Sequence, residues 1–297
     1  MTVPSPAWLD RMYNNRALVP DSARHLALWA SASSVAREAL APDYARLDLR
    51  YGDAESETLD VFPAATAGLA GAPKAPVLVF IHGGYWRGLD KSDHSFLAPA
   101  FLRSGACVVV PNYALCPGTR EQPVSIPQIV MQMVRALAWI WRHAAEFGGD
   151  ARRITLVGHS AGGHLAAMLL LCRWAQVAPE LPPTLVRNAL SISGLYDLAP
   201  LRRTPFLQPS LRLTMGQVRQ ASPALLPASS EGPLWAVVGG EESEEYLRQN
   251  QLVRDAWGAE AVPLAIALPG LNHFSILEAL AEPGHTVHGM ALALLHD

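Results

Sequence analysis

The stretch ITLVGHSAGGHLAAMLLL, residues 154–171, restricts the fold more than any other part of the chain. Ser160 stands between Gly158 and Gly162, after a short apolar run and before a longer one that carries no Asp, Glu, Lys or Arg until Arg173. The first run reads as a buried strand and the second as a helix, joined by a reversal of only a few residues. A reversal that tight strains the serine backbone and leaves no room for side chains two positions away, hence the glycines. The hydroxyl is then held above the sheet edge. The N–H groups and dipole of the following helix lie beneath it, where they favour a developing negative charge.

Other apolar runs of strand length recur along the chain: VLVFIH (77–82), CVVVPNY (107–113), VRNALSISG (186–194), LWAVVGG (234–240) and VPLAIALPG (262–270). They are short and rich in Val, Ile and Leu, as strands covered on both faces are. Helical segments over 126–147 and 161–177 separate them, and two shorter strand candidates, ARLDLRYG and TLDVFP, come first. Alternation of this kind predicts an α/β fold with a mostly parallel central sheet and helices on both faces. Ligands in such folds bind beyond the carboxyl ends of the strands. We expect one domain over 1–297, with an N-terminal helical extension over 1–45 patterned as helix across 7–41. The proline-rich segment 198–230 reads as an excursion of short helices, a lid-like insertion. The Ala/Gly/Pro-rich stretch at 66–76 reads as a loop between strands, and no internal repeat is present.

Composition narrows the function. With 50% hydrophobic and 16% charged residues the chain is globular rather than disordered. A net charge of -3 offers no electrostatic footprint for nucleic acid or an anionic membrane. Cys107, Cys116 and Cys172 form no C-x-x-C pair, a usage typical of reduced thiols. The start, MTVPSPAWLDRMYNNR, lacks the pattern of a signal peptide, and the most apolar segment, LAAMLLLCRWAQVA, carries Arg173 and reads as a buried helix. A cytoplasmic location is therefore expected.

A serine hydroxyl becomes a nucleophile when a histidine takes its proton and a carboxylate fixes the histidine tautomer. Folds of this kind supply the groups in the order serine, acid, histidine. Of the late histidines, His273 alone follows directly from a strand, in LAIALPGLNHF, whereas His285 and His288 fall in or beside a C-terminal helix and His296 near the end. For the acid, LWAVVGG runs into EESEE, and Asp197 follows the preceding strand in SGLYDL. Glu242 is favoured over Glu241 and Asp197. Glu244 and Glu245 suit the first turn of a helix for which Ser243 could be the cap. The run VFIHGGYW, with His82, Gly83 and Trp86, resembles the H-G-G-G type of loop whose backbone N–H groups face an oxyanion.

Taken in order, HGGYW, GHSAGGHLAAMLL, SGLYDL, GGEESEEY and NHF resemble the alpha/beta-hydrolase fold, and within it the serine-dependent kynurenine formamidase (arylformamidase) branch. The likeness extends to WLDRMYNNR and YGDAESETLDVF and so covers nearly the whole chain. The resemblance implies Ser160 as nucleophile, His273 as base, and Gly84, Tyr85 and Ala161 as oxyanion donors. The family's acid is normally an aspartate in a G-x-x-D-S setting, which aligns with Glu242, so glutamate is a departure here. The implied activity is cleavage of a formyl group from an aryl formamide such as N-formyl-L-kynurenine, with no cofactor and no metal. Related chains include short-chain carboxylesterases, and a non-catalytic ligand-binding protein is the alternative of another class. The bulk of Tyr85 and Trp86 is expected to narrow the acyl side of the site. Arg202, Arg203, Arg212 and Arg219 are candidates for holding an anionic substrate head. The expected partner is a small-molecule substrate, with no nucleic acid and no membrane; a homodimer is allowed for.

Overall fold

In the computed structural model, residues 4–40, 44–69, 71–229 and 231–297 are described. Parts of three expectations lie outside them: residues 1–3 and 41–43 of the N-terminal extension, Ala70 of the loop and Ser230 at the end of the insertion. Eight strands form one sheet: β1 (Arg46–Arg50), β2 (Thr58–Phe62), β3 (Ala75–Ile81), β4 (Cys107–Pro111), β5 (Gly149–His159), β6 (Asn188–Ile192), β7 (Leu234–Gly239) and β8 (Leu264–Leu268). Their order is β1-β2-β4-β3-β5-β6-β7-β8. The two N-terminal strands pair antiparallel, and the six from β3 to β8 run parallel.

Alternation along the central strands divides the interior into two cores. Val77, Val79 and Ile81 of β3 face one apolar cluster, shared with Ile129, Met133 and Leu137 of the helix Ile126–His143 and with Leu165 of the helix Ala161–Leu170. Leu78 and Phe80 face the other, with Trp29, Phe101, Leu277 and Leu294. Every residue of β3, β4 and β6 is buried, which explains why these strands read as continuous apolar runs rather than alternating ones. Each such Val, Leu or Phe contributes about 1.5–3 kcal/mol on burial.

Where the elements differ from expectation, the cause is local. The N-terminal helical region is three helices, α1 (Pro6–Tyr13), α2 (Asn15–Leu18) and α3 (Ser22–Leu40). Asn14 ends the first and caps the second by accepting from the Ala17 N–H, a competition with the helix that Asn side chains make readily. The 161–177 helix stops at Leu170, with the separate turn Trp174–Val177 beyond. The 198–230 segment contains the short helices Ala199–Arg202, Gln208–Leu211 and Met215–Ala221 and the 3-10 turn Pro223–Leu225, between β6 and β7. Among the described residues, no helix is long and apolar enough to cross a membrane.

The register fixes where the chemistry falls. Ile81 pairs with Gly158 and His159 with Ile192, so the loops after β3, β5 and β6 emerge together at the carboxyl edge of the sheet.

Candidate active site

Ser160 is the hinge between β5 and the helix Ala161–Leu170, and its backbone is strained at φ 56°, ψ -117°. The strain is held from both sides: the Ser160 N–H donates to Ile192 O at 2.8 Å, and the His164 N–H donates to Ser160 O at 3.1 Å. A Cβ at Gly158 would collide with the Gly162 carbonyl, and one at Gly162 with the Ile81 carbonyl. The flanking glycines are thus required by contact between the strand, the turn and the loop after β3. Ala161 is the first residue of the helix, where an N–H has no partner within the helix.

His273 lies in the loop after β8. The Asn272 side chain accepts from the Phe274 and Ser275 N–H groups at 2.8 and 2.9 Å and shapes that loop. The His159 ring bonds the His273 carbonyl at 2.9 Å. Burial, with His273 close by, holds His159 well below the usual histidine range, so it is neutral and donates through Nε2. His273 Nδ1 meets Glu242 Oε2 at 2.6 Å. Both carboxylate oxygens of Glu242 are engaged, because Oε1 also accepts from Ser193 Oγ at 2.5 Å and from the Gly239 N–H at 2.8 Å. The pair is deeply buried, with side-chain exposures of 7% and 1%.

The rival acids are occupied elsewhere. The Asp197 side chain accepts from the Ala199 N–H, and Glu245 accepts from the Tyr13 hydroxyl and pairs with Arg248. Glu241 borders a second cavity that Glu242 and His273 also line, and the carboxylate bonded to His273 is that of Glu242. Glu244 and Glu245 open the helix Glu244–Ala261 as first-turn acids, and Ser243 is its N-cap residue although its hydroxyl donates to Met12 O instead of capping.

The loop after β3 holds three successive residues at positive φ: Gly84 at 100°, Tyr85 at 51° and Trp86 at 53°. A Cβ on Gly84 would strike the Gly88 carbonyl, so this position demands glycine. His82 is buried and neutral, its pKa lowered by burial, stacked on Tyr113 at 4.2 Å and bonded to Asn112 Oδ1. The Tyr113 hydroxyl is within bonding distance of both the His82 and Gly83 carbonyls and steadies the start of the loop. Trp86 corrects an expectation: it is fully buried, edge-on to His164 at 4.9 Å, and does not line the cavity. Its positive φ belongs to the turn that sends the ring into the core, leaving Tyr85 alone at the wall.

A cavity of about 420 Å³ brings together Ser160, His273, Gly84 and Tyr85. Its other walls come from parts of the chain outside the serine, histidine and glycine motifs. Asn14, Asn15 and Arg16 enter from helix α2 and its N-cap, Trp29 from α3, and Phe206 and Ser210 from the insertion. The Tyr85 hydroxyl donates to Tyr13 O at 2.6 Å and meets the Tyr246 hydroxyl at 2.7 Å, which Asn15 Nδ2 also contacts at 2.9 Å. Arg202, Arg203, Arg212 and Arg219 are absent from the lining; Arg16 and Arg87 are the arginines present.

A largely parallel eight-stranded sheet with a strained serine between strand and helix defines an alpha/beta-hydrolase. The BD-FAE family matches residues 61–191. Kynurenine formamidase of Danio rerio is 30% identical over 260 residues, covering 84% of this chain and 81% of the relative. Esterase LipQ of Mycobacterium tuberculosis is 30% identical over 249 residues, covering 76% of this chain and 56% of LipQ. The crystal structure of a candidate thioesterase from Silicibacter sp. TM1040 superposes with a TM-score of 0.80 at 32% identity, covering 97% of this chain and 99% of the other. This chain belongs to the alpha/beta-hydrolase family of kynurenine formamidases and related esterases, and it is a serine hydrolase.

Proposed function

We propose that Ser160, His273 and Glu242 cleave a small acyl group, formyl above all, from an aryl formamide such as N-formyl-L-kynurenine. The observation that carries this reading is the bond from His273 Nδ1 to a Glu242 carboxylate whose two oxygens are both committed, with His273 lining the same cavity as Ser160. That bond keeps the proton on Nδ1 and leaves Nε2 basic. Nε2 takes the Ser160 proton as Oγ attacks the formyl carbon. The N–H groups of Ala161, Gly84 and Tyr85 hold the oxyanion. Collapse breaks the C–N bond, and the proton passes from His273 to the departing arylamine. Water, deprotonated by His273, then attacks the formyl ester on Ser160 and releases formate. Formamide and water give amine and formate, with no electron transfer.

Tyr85 at the cavity wall supports a small acyl group. The similarity to a kynurenine formamidase supports the formyl reading, and that to LipQ supports a second, a carboxylesterase for short esters. Specificity constants for N-formyl-L-kynurenine and for aryl formate, acetate, butyrate and octanoate esters separate them. The formamide and the formate should lead; highest rates on butyrate or octanoate would refute the formyl reading. The proposal includes a single catalytic domain over 1–297, with 198–230 as a lid whose Phe206 and Ser210 reach the cavity. It also places the protein in the cytoplasm, a reading supported by its free cysteines.

A further inference from the structure

Charge in the active-site cavity is unbalanced. Arg16 and Arg87 both line it with Ser160 and His273, and no aspartate or glutamate does. Among the described residues neither arginine forms an ion pair. Arg87 is held in a fixed plane: Nη1 donates to Phe206 O at 2.8 Å and to Ser210 Oγ at 3.2 Å, and the guanidinium lies 5.2 Å from the centre of the Phe206 ring. Its remaining N–H groups are not spent on these contacts. Arg16 lies in the short helix α2, directly after Asn15 and the N-cap Asn14, with an exposed side chain. Burial lowers the Arg87 pKa, and the Arg16 charge adds to that lowering, so the two guanidiniums repel each other. Two like charges lining one cavity, Arg87 half-buried and Arg16 exposed, with no carboxylate in the lining, suit a bound anion, and a guanidinium fork matches a planar carboxylate.

We propose that Arg16 and Arg87 form a carboxylate-binding subsite, the two residues that select substrates whose portion remote from the scissile carbonyl is anionic. The inference rests on the serine-hydrolase reading for its use in catalysis, but binding at the subsite does not. The arginines flagged in the sequence, at 202, 203, 212 and 219, take no part. The polar anchors come instead from helix α2 and from the residue after HGGYW, so the subsite joins an element that precedes the sheet to the loop after β3.

Two measurements separate the subsite from the catalytic reading. Calorimetric titration of 3-acetamidobenzoate and of neutral 3-acetamidobenzamide into Ser160→Ala protein reads the subsite without turnover. The carboxylate should bind at least about tenfold more tightly, the size of one charge-assisted hydrogen bond. Adding Arg16→Ala or Arg87→Gln should remove most of that preference; Arg16, whose side chain has no hydrogen bond among the described residues, covers the case in which Arg87→Gln unfolds. Equal binding of the two compounds, or a preference unchanged in both double variants, overturns the subsite. Kinetics on 3-carboxyphenyl and 3-carbamoylphenyl acetate then test its use: the acid should have the lower KM, and salt should narrow the gap. Efficient cleavage of both esters with equal KM would sink the subsite and leave the hydrolase intact. Carboxylate-selective binding without cleavage of either ester would retain the subsite and count against the hydrolase.

Discussion

Glu242 stands where the family usually has aspartate, and its side chain is one methylene longer. The surroundings absorb the difference, because Ser193 and the Gly239 N–H take one oxygen while His273 takes the other. Replacing it with glutamine retains the shape but sets an amide against the imidazole, which favours the wrong tautomer. Glu242→Gln should lower kcat by about a thousandfold or more with KM little altered, checked by steady-state kinetics on protein of unchanged circular dichroism. A fall of less than about tenfold would mean that the carboxylate does not serve the base. At this scale glycine spacing and strand position were enough to single out Ser160 and His273 as candidates. The sequence favoured Glu242 only narrowly within the EESEE run, because a helix start attracts acids for reasons of its own. Ser193 and Tyr246 fall inside SGLYDL and GGEESEEY, yet neither motif marks their contacts, which arise only once β6 and the helix Glu244–Ala261 meet at the sheet edge.

Among elements, the strand-turn-helix unit around Ser160 depends on backbone contact rather than side-chain bonding. Gly158→Ala places a methyl against the Gly162 carbonyl, which belongs to the first turn of the helix and has no flexible side chain to yield. The expected result is a loss of about 2 kcal/mol or more in urea unfolding, together with at least a hundredfold loss of kcat/KM as the hydroxyl shifts. Retention of both would show that the turn relaxes freely. The central strands were legible because burial on both faces makes their composition unmistakable. The N-terminal region was legible as helical but not its division: the breaks at Asn14 and before Ser22 are local hydrogen-bond choices, and its contribution to the cavity requires contacts with residues more than sixty positions away.

The whole molecule buries several neutral histidines around the site, and this makes stability depend on pH. Burial pushes His94 down to about 3 and His164 to about 4 from an ordinary 6.5. Between those values the unfolded chain binds protons that the folded one refuses, so stability is full above about pH 6.5 and is lost as pH falls toward 3. Each such histidine contributes up to about 1.4 kcal/mol per pH unit in that window. Urea midpoints measured from pH 7 to 4 should fall with acidity, and His94→Asn should flatten the slope; equal slopes would remove His94 from the cause. The mostly parallel sheet was implicit in the alternation of strands and helices, but the assembly of one cavity from helix α2, the β3 loop and the insertion was not, because it depends on how distant segments meet. The central claim is tested most directly by mapping the covalent adduct left by a fluorophosphonate on the intact protein. The account predicts one adduct, on Ser160, formed far more slowly in His273→Ala; an adduct on another residue, or continued hydrolysis by Ser160→Ala, would contradict it.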